Sequence, residues 1–78
     1  MTFTEAHLEL MLDFRNRTRK FHTLSATKQK LVMELMGRGL MKQDEEDFIY
    51  NSEFGDTLID NAIAYTNNML SLTLTQKP

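Results

Sequence analysis

The sequence predicts an all-α fold: a small bundle of three helices, or four if Gly55 breaks the third, with short connections and a loose C-terminal tail. Three observations predict it. The 78 residues include three Gly and one Pro, and that Pro is the last residue, so few turns are obligatory. Apolar residues recur at steps of three and four along most of the chain. Thr, Ser and Asp stand where these runs begin, and Gly stands where one ends. A chain of this length is one domain, 1–78.

The first helix is expected from Phe3 to Phe21. Thr2 can cap it, and Glu5 three residues on completes a capping box. Phe3, Leu10, Phe14 and Phe21 fall on one stripe, with His7 and Arg17 at the intervening steps. Glu5, Glu9 and Asp13 lead, and Arg15, Arg17, Arg19 and Lys20 follow. That order suits the helix dipole at both ends. The second helix is expected from about Ala26 to Arg38. Ser25 is its N-cap, and Leu31, Val32, Leu35 and Met36 form its buried face. Gly37 or Gly39 is its stop signal, Gly39 being the better C′ candidate.

The third helix is expected to open at Asp44, with Glu45, Glu46 and Asp47 in its acidic first turn. The stripe Phe48, Ser52, Gly55, Ile59, Ala62, Thr66, Met69 keeps its spacing across Gly55, which favours one long or kinked helix over two short ones. Thr23-Leu24 and Met41-Lys42-Gln43 are the only loop-like joints. Short joints favour antiparallel neighbours. Leu70 to Thr75 alternates apolar and polar, which is strand period, but a lone strand has no partner within the chain. A frayed helix end and a loose terminus are expected there.

Charge is split along the chain. Residues 1–42 hold eight bases against four acids, net +4; residues 43–78 hold one base against seven acids, net −6. Each half attracts different surfaces, or the other half. There is no Cys, so disulfides and thiolate metal sites are ruled out. A domain this small buries only about 60% of the surface its unfolded chain exposes. A partner chain is a natural source of further burial, and self-association is one expected form of it. The N-terminus has no basic n-region followed by an apolar run, and no stretch approaches the roughly 20 apolar residues of a membrane span. A soluble, cytoplasmic protein with no membrane partner is expected.

Catalytic and ligand-binding signals are sparse. His7 and His22 lie fifteen residues apart on one predicted helix, over about 20 Å, and cannot share a site. His7 sits on the apolar stripe, where a core or interface histidine is the usual explanation. Glu5, Glu9 and Asp13 offer a cation too few ligands from one helix. Asp44 to Asp47 lacks the alternating spacing and central Gly of a calcium loop. Gly37-Arg38-Gly39-Leu40-Met41-Lys42 lacks the spacing of a phosphate loop. No catalytic residue, metal ligand or cofactor is expected, and so no enzyme.

Two binding classes remain. Arg15, Arg17, Arg19, Lys20, Lys28 and Lys30 could engage phosphates. The segment from Leu24 to Leu40, LSATKQKLVMELMGRGL, resembles the first helix and turn of response-regulator DNA-binding domains. That resemblance implies a small helix-turn-helix DNA-binding regulator. It covers about 17 residues and is one residue longer before the turn. The next predicted helix should be the recognition helix, yet it opens with Asp44, Glu45, Glu46 and Asp47, which phosphates repel.

Protein binding is the favoured class. Six Met and five Phe are many for this length, and Met suits adaptable surfaces. Phe21, Leu24, Met33, Met36, Leu40 and Met41 gather around the second helix as the expected docking patch. Arg15, Arg17, Arg19, Lys20, Asp44, Glu45, Glu46 and Asp47 form its charged rim. The expected function is a non-enzymatic module that docks on a larger protein, or on its own copy. It would serve as adaptor, assembly factor or inhibitor, of the compact kind frequent in viruses and mobile elements. Nucleic acid is the less favoured partner.

Overall fold

The computed structural model describes the backbone of residues 2–75 and the side chains of residues 2–65. The fold is mixed, not all-α. Three helices, α1 (Glu5–Asp13), α2 (Ala26–Gly37) and α3 (Glu53–Thr75), pack with three short strands, β1 (Arg19–Lys20), β2 (Met41–Gln43) and β3 (Phe48–Asn51). The strands form one antiparallel sheet in the order β1-β3-β2.

The first helix stops at Asp13 rather than Phe21. Its N-cap is Thr4 rather than Thr2, and His7 takes the place of the Glu in the capping box. The basic stretch is therefore not the last turn of α1. Arg19 and Lys20 form a strand instead, opposite Ile49 and Phe48. Phe21 to Thr23 then makes a single 3-10 turn.

Helix α2 starts where its cap predicts. Ser25 Oγ accepts the Lys28 N–H. At its other end Gly39 has φ +73°, the Leu40 N–H donates to the Leu35 carbonyl and the Gly39 N–H to the Met36 carbonyl. This is a Schellman closure, with Leu35 and Leu40 both buried beside it. Gly is needed at 39 because only it adopts that φ without a Cβ penalty.

The acidic run that reads as a helix start is a hairpin turn. Met41 pairs with Asn51, Lys42 with Tyr50 and Gln43 with Ile49. The Asp44 carboxylate accepts the Glu46 and Phe48 N–H groups, and Asp47 has φ +73°. A three-residue loop with its last residue left-handed is a common hairpin form, and Asp tolerates that conformation. An Asx turn and a helix N-cap use the same side-chain acceptor, so the two are alike in sequence.

Helix α3 therefore begins at Glu53, not Asp44. Ser52 Oγ accepts the Gly55 N–H and donates to the Gly39 carbonyl, which ties the helix start to the α2–β2 turn. The helix runs unbroken through Gly55. A Cβ there would lie 2.1 Å from the Leu40 carbonyl oxygen, so Gly55 is what allows α3 to touch the strand entry. The backbone of 70–75 is helical, which replaces the expected loose end; residues 76–78 of that expected tail lie outside the described residues.

The core joins all layers. Leu10, Met11 and Phe14 of α1 and its end meet Leu24, Val32, Leu35, Leu40, Met41, Ile49 and Ile59. On the sheet, Met41, Ile49 and Asn51 are buried while Phe48 and Tyr50 are half-buried.

Candidate functional site

The six expected docking residues are not one surface. Leu24, Leu40 and Met41 are buried in the core, where they hold the fold together. Phe21 and Met36 are partly buried against that core. Met33 alone is exposed, at 60%. The reason is that β2 turns the segment after α2 inward, which a helix-only reading does not provide.

The expected rim is largely paired within the molecule. Arg15 is ion-paired with Asp60 of α3. Arg17 and Arg19 lie 3.8 and 3.7 Å from the Asp13 carboxylate. The Lys20 ammonium lies over the Phe48 ring, 5.4 Å from its centroid. Asp44 is used by its own turn. Asp47 accepts from His22 Nδ1 at 2.8 Å and from the Gln43 amide. The hydrogen bond from His22 holds the Asp47 carboxyl below the usual carboxylate range. Glu45 and Glu46 are exposed at the hairpin tip. The basic and acidic halves thus meet at Arg15–Asp60 and His22–Asp47.

The two histidines sit in different surroundings. His7 is 3% exposed. The Thr4 N–H reaches its Nδ1 at 3.0 Å, and the Thr4 hydroxyl at 2.8 Å. A backbone N–H can only donate, so Nδ1 is the acceptor and the ring proton sits on Nε2, aimed at Glu34 Oε1 at 3.0 Å. His7 is a strut between α1 and α2. His22 and Asp47 have the hydrogen bond of a His–carboxylate dyad, but both sit at the exposed sheet end. The neighbouring Thr23 hydroxyl is spent on the Lys20 carbonyl. Among the described residues no group of three or more His, Asp or Glu is placed to hold a metal, and no helix is long and apolar enough to cross a membrane.

Two surface features stand out. One is a polar crevice of about 480 Å³ lined by Arg15, Arg17, Thr18, Tyr50, Asn51 and Asp56, among others. Asn51 Nδ2 donates to the Met11 carbonyl at 2.8 Å. Asn51 Oδ1 and Asp56 Oδ1 are buried without a hydrogen-bond partner among the described residues. Two such acceptors can take donors from water or from a small polar group.

The other is an apolar groove of about 400 Å³ where the three helices converge. Phe3, Arg38, Leu40, Phe54 and Leu58 line it. Phe3 stacks on His7 at a centroid distance of 5.6 Å, so the buried strut also fixes one wall. Phe3 is 41% exposed and Phe54 63%. From Phe54 the apolar face continues along α3 through Leu58 and Ala62 to Tyr65, which is 67% exposed. Those steps of four, four and three are one helical stripe. Beyond Ile59 the described side chains of α3 are exposed or half-buried, so the helix leaves the body there. The molecule measures 54 × 21 × 19 Å.

Sequence reasoning found the stripe Phe48, Ser52, Gly55, Ile59, Ala62, Thr66, Met69, of which Ser52, Gly55 and Ile59 face inward and Ala62 borders the outer face. Phe54, Leu58 and Tyr65 share the same spacing one residue out of phase. The signal that separates the two is Gly55, since a side-chain-free position marks the close-packed face. The chain matches no family model, no curated protein and no solved structure.

Proposed function

We propose that this chain is a non-enzymatic protein-binding module that docks through the α3 stripe and the groove at its base. It would act as an adaptor, assembly factor or inhibitor of a larger protein assembly. The observation that carries this reading is exposed Phe54 and Tyr65 on α3, with half-buried Leu58 between them and exposed Phe3 across the groove. Large aromatics clustered around a pocket are the usual anchors of protein interfaces. Contiguous apolar surface of this kind is uncommon on a protein that works alone.

The test is affinity capture from extract of the source cells with tagged wild-type chain and with the double variant Phe54→Glu/Tyr65→Glu. A protein retained by the wild type through about 0.5 M salt and nuclease treatment, and lost by the variant, is the expected result. Equal capture by both would sink the reading.

A second reading, a small DNA-binding regulator, has one observation in its favour. Helix α2 presents exposed Thr27, Lys28 and Lys30 near its N-terminus, and a β-hairpin follows it directly. A helix in the major groove works through such residues. The hairpin stands between α2 and the next helix, α3, so the helix-turn-helix form implied by the resemblance is replaced by a helix and hairpin. Asp44 to Asp47 at the hairpin tip would meet phosphates with like charge, which is why this reading stands second. Binding to duplex DNA that falls steeply with salt would promote it.

A further inference from the structure

We infer that the docking partner is a second copy of this chain, with the two α3 helices packed antiparallel and each C-terminal half seated on the other's groove. This rests on the docking reading above. Three observations carry it. The first is the stripe's symmetry. At the same helical spacing the stripe reaches positions 69 and 72, Met and Leu in the sequence. Positions 54, 58, 62, 65, 69 and 72 then read nearly the same in both directions. Laid antiparallel, 54 meets 72, 58 meets 69 and 62 meets 65. A two-fold interface requires that self-complementarity: residue i meets j, and j meets i.

The second is charge. Residues 61–75 contain no Asp, Glu, Lys or Arg. Glu53, Asp56 and Asp60 lie on the arc opposite the stripe at 100° per residue. The stripe thus offers a partner no charge to match, and an identical stripe demands none. Antiparallel packing also brings the carbonyl end of each α3, whose last turn holds no base, toward Arg38 at the rim of the other groove. A cation at a helix C-terminus is favourable. A parallel pair would instead leave both grooves at the same end, with no helix terminus to enter them.

The third is shape. A 23-residue helix is about 34 Å long, and the buried positions among its described side chains, Gly55 and Ile59, lie in its first two turns. A helical stretch without tertiary packing is marginal in water. A second copy supports both extensions at once.

The test uses the full chain, which has no native Cys. Light-scattering chromatography at about 100 µM should give twice 9.1 kDa. Tyr65→Glu, at an exposed position, should give the monomer mass with a circular-dichroism spectrum that loses helix only to the extent of the α3 extension. Under mild oxidation Phe54→Cys/Leu72→Cys should form a covalent dimer, while Phe54→Cys alone should not. A crosslink with Phe54→Cys alone would overturn the antiparallel arrangement. A monomeric wild type that never crosslinks would overturn self-docking. If that monomer also retains a foreign protein that Phe54→Glu/Tyr65→Glu loses, the docking reading survives and only the identity of the partner falls.

Discussion

His7 shows how one buried polar side chain can organise a small domain. Its Nδ1 takes both Thr4 donors, its Nε2–H goes to Glu34, and its ring carries Phe3. Removing it leaves the Thr4 N–H without its side-chain acceptor and a half-buried carboxylate without its donor. We expect His7→Ala to cost about 2–3 kcal/mol in urea unfolding at fixed protein concentration. Glu34→Gln keeps an acceptor oxygen for Nε2–H and should cost less than about 1 kcal/mol. Equal losses would mean that charge rather than the hydrogen bond matters. Gly55 and Gly37 make a second contrast. At Gly55 even a methyl would collide with the Leu40 carbonyl, whereas at Gly37 nothing lies within 4 Å. Gly55→Ala should cost about 2–3 kcal/mol, since backbone rather than a flexible side chain must yield. Gly37→Ala should add about 0.5–1 kcal/mol by restricting the unfolded chain. Unfolding midpoints that moved in the same direction for both would contradict the close approach of α3 to Leu40.

Among the elements, the β2–β3 hairpin is where sequence and structure part. Helix α2 was legible to its caps because Ser25 and Gly39 each have one dominant reading. The inner face of α3 was legible because Ile59 and Gly55 hold helical spacing. The sheet was hidden by two ambiguities. Asp44 can cap a helix or close an Asx turn, and a run of acids suits either. Arg15 to Lys20 has the charge sign of a helix end, yet Arg19 and Lys20 pair with β3 through backbone groups that carry no sequence signal. Phe48, Ile49 and Tyr50, aromatic and β-branched in succession, were the available strand signal. A missed strand at Met41 also left Leu40 and Met41, which are buried, looking surplus in the expected docking patch. The hairpin makes its own prediction. The Asp47 carboxyl is more acidic in the folded chain than in the unfolded one. The folded state therefore binds fewer protons, so this contribution is complete above the ordinary carboxylate range and is lost as pH falls through the lowered value. Asp47→Asn keeps a residue that tolerates positive φ but removes the titrating group. Urea midpoints measured from neutral pH down to about 3 should fall less steeply for Asp47→Asn than for the wild type. Parallel curves would show that His22 does not hold this carboxylate.

For the whole molecule, the split charge joins the two halves at Arg15–Asp60 and His22–Asp47, and the apolar stripe of α3 is the surface we propose for partners. The ion pairs that join the halves are exposed, and such pairs contribute about 0.2–1 kcal/mol each and are screened by salt. Raising salt from about 0.05 to 0.5 M should therefore lower stability by no more than about 1 kcal/mol. Antiparallel association through α3 should persist, because its seam holds no charge. Concentration is the sharper variable. If folding is coupled to pairing of α3, the unfolding midpoint must rise with protein concentration by mass action. A hundredfold increase supplies about 2.7 kcal/mol of added stabilisation at 25 °C. For a cooperative unit of two such chains that corresponds to a rise of about 5–10 °C in Tm. Calorimetry across that range should show the shift for the wild type and none for Tyr65→Glu. A wild-type Tm independent of concentration, with a monomer mass, would mean that α3 is stable on its own anchoring at Gly55 and Ile59. In that case the exposed stripe is kept for a foreign surface.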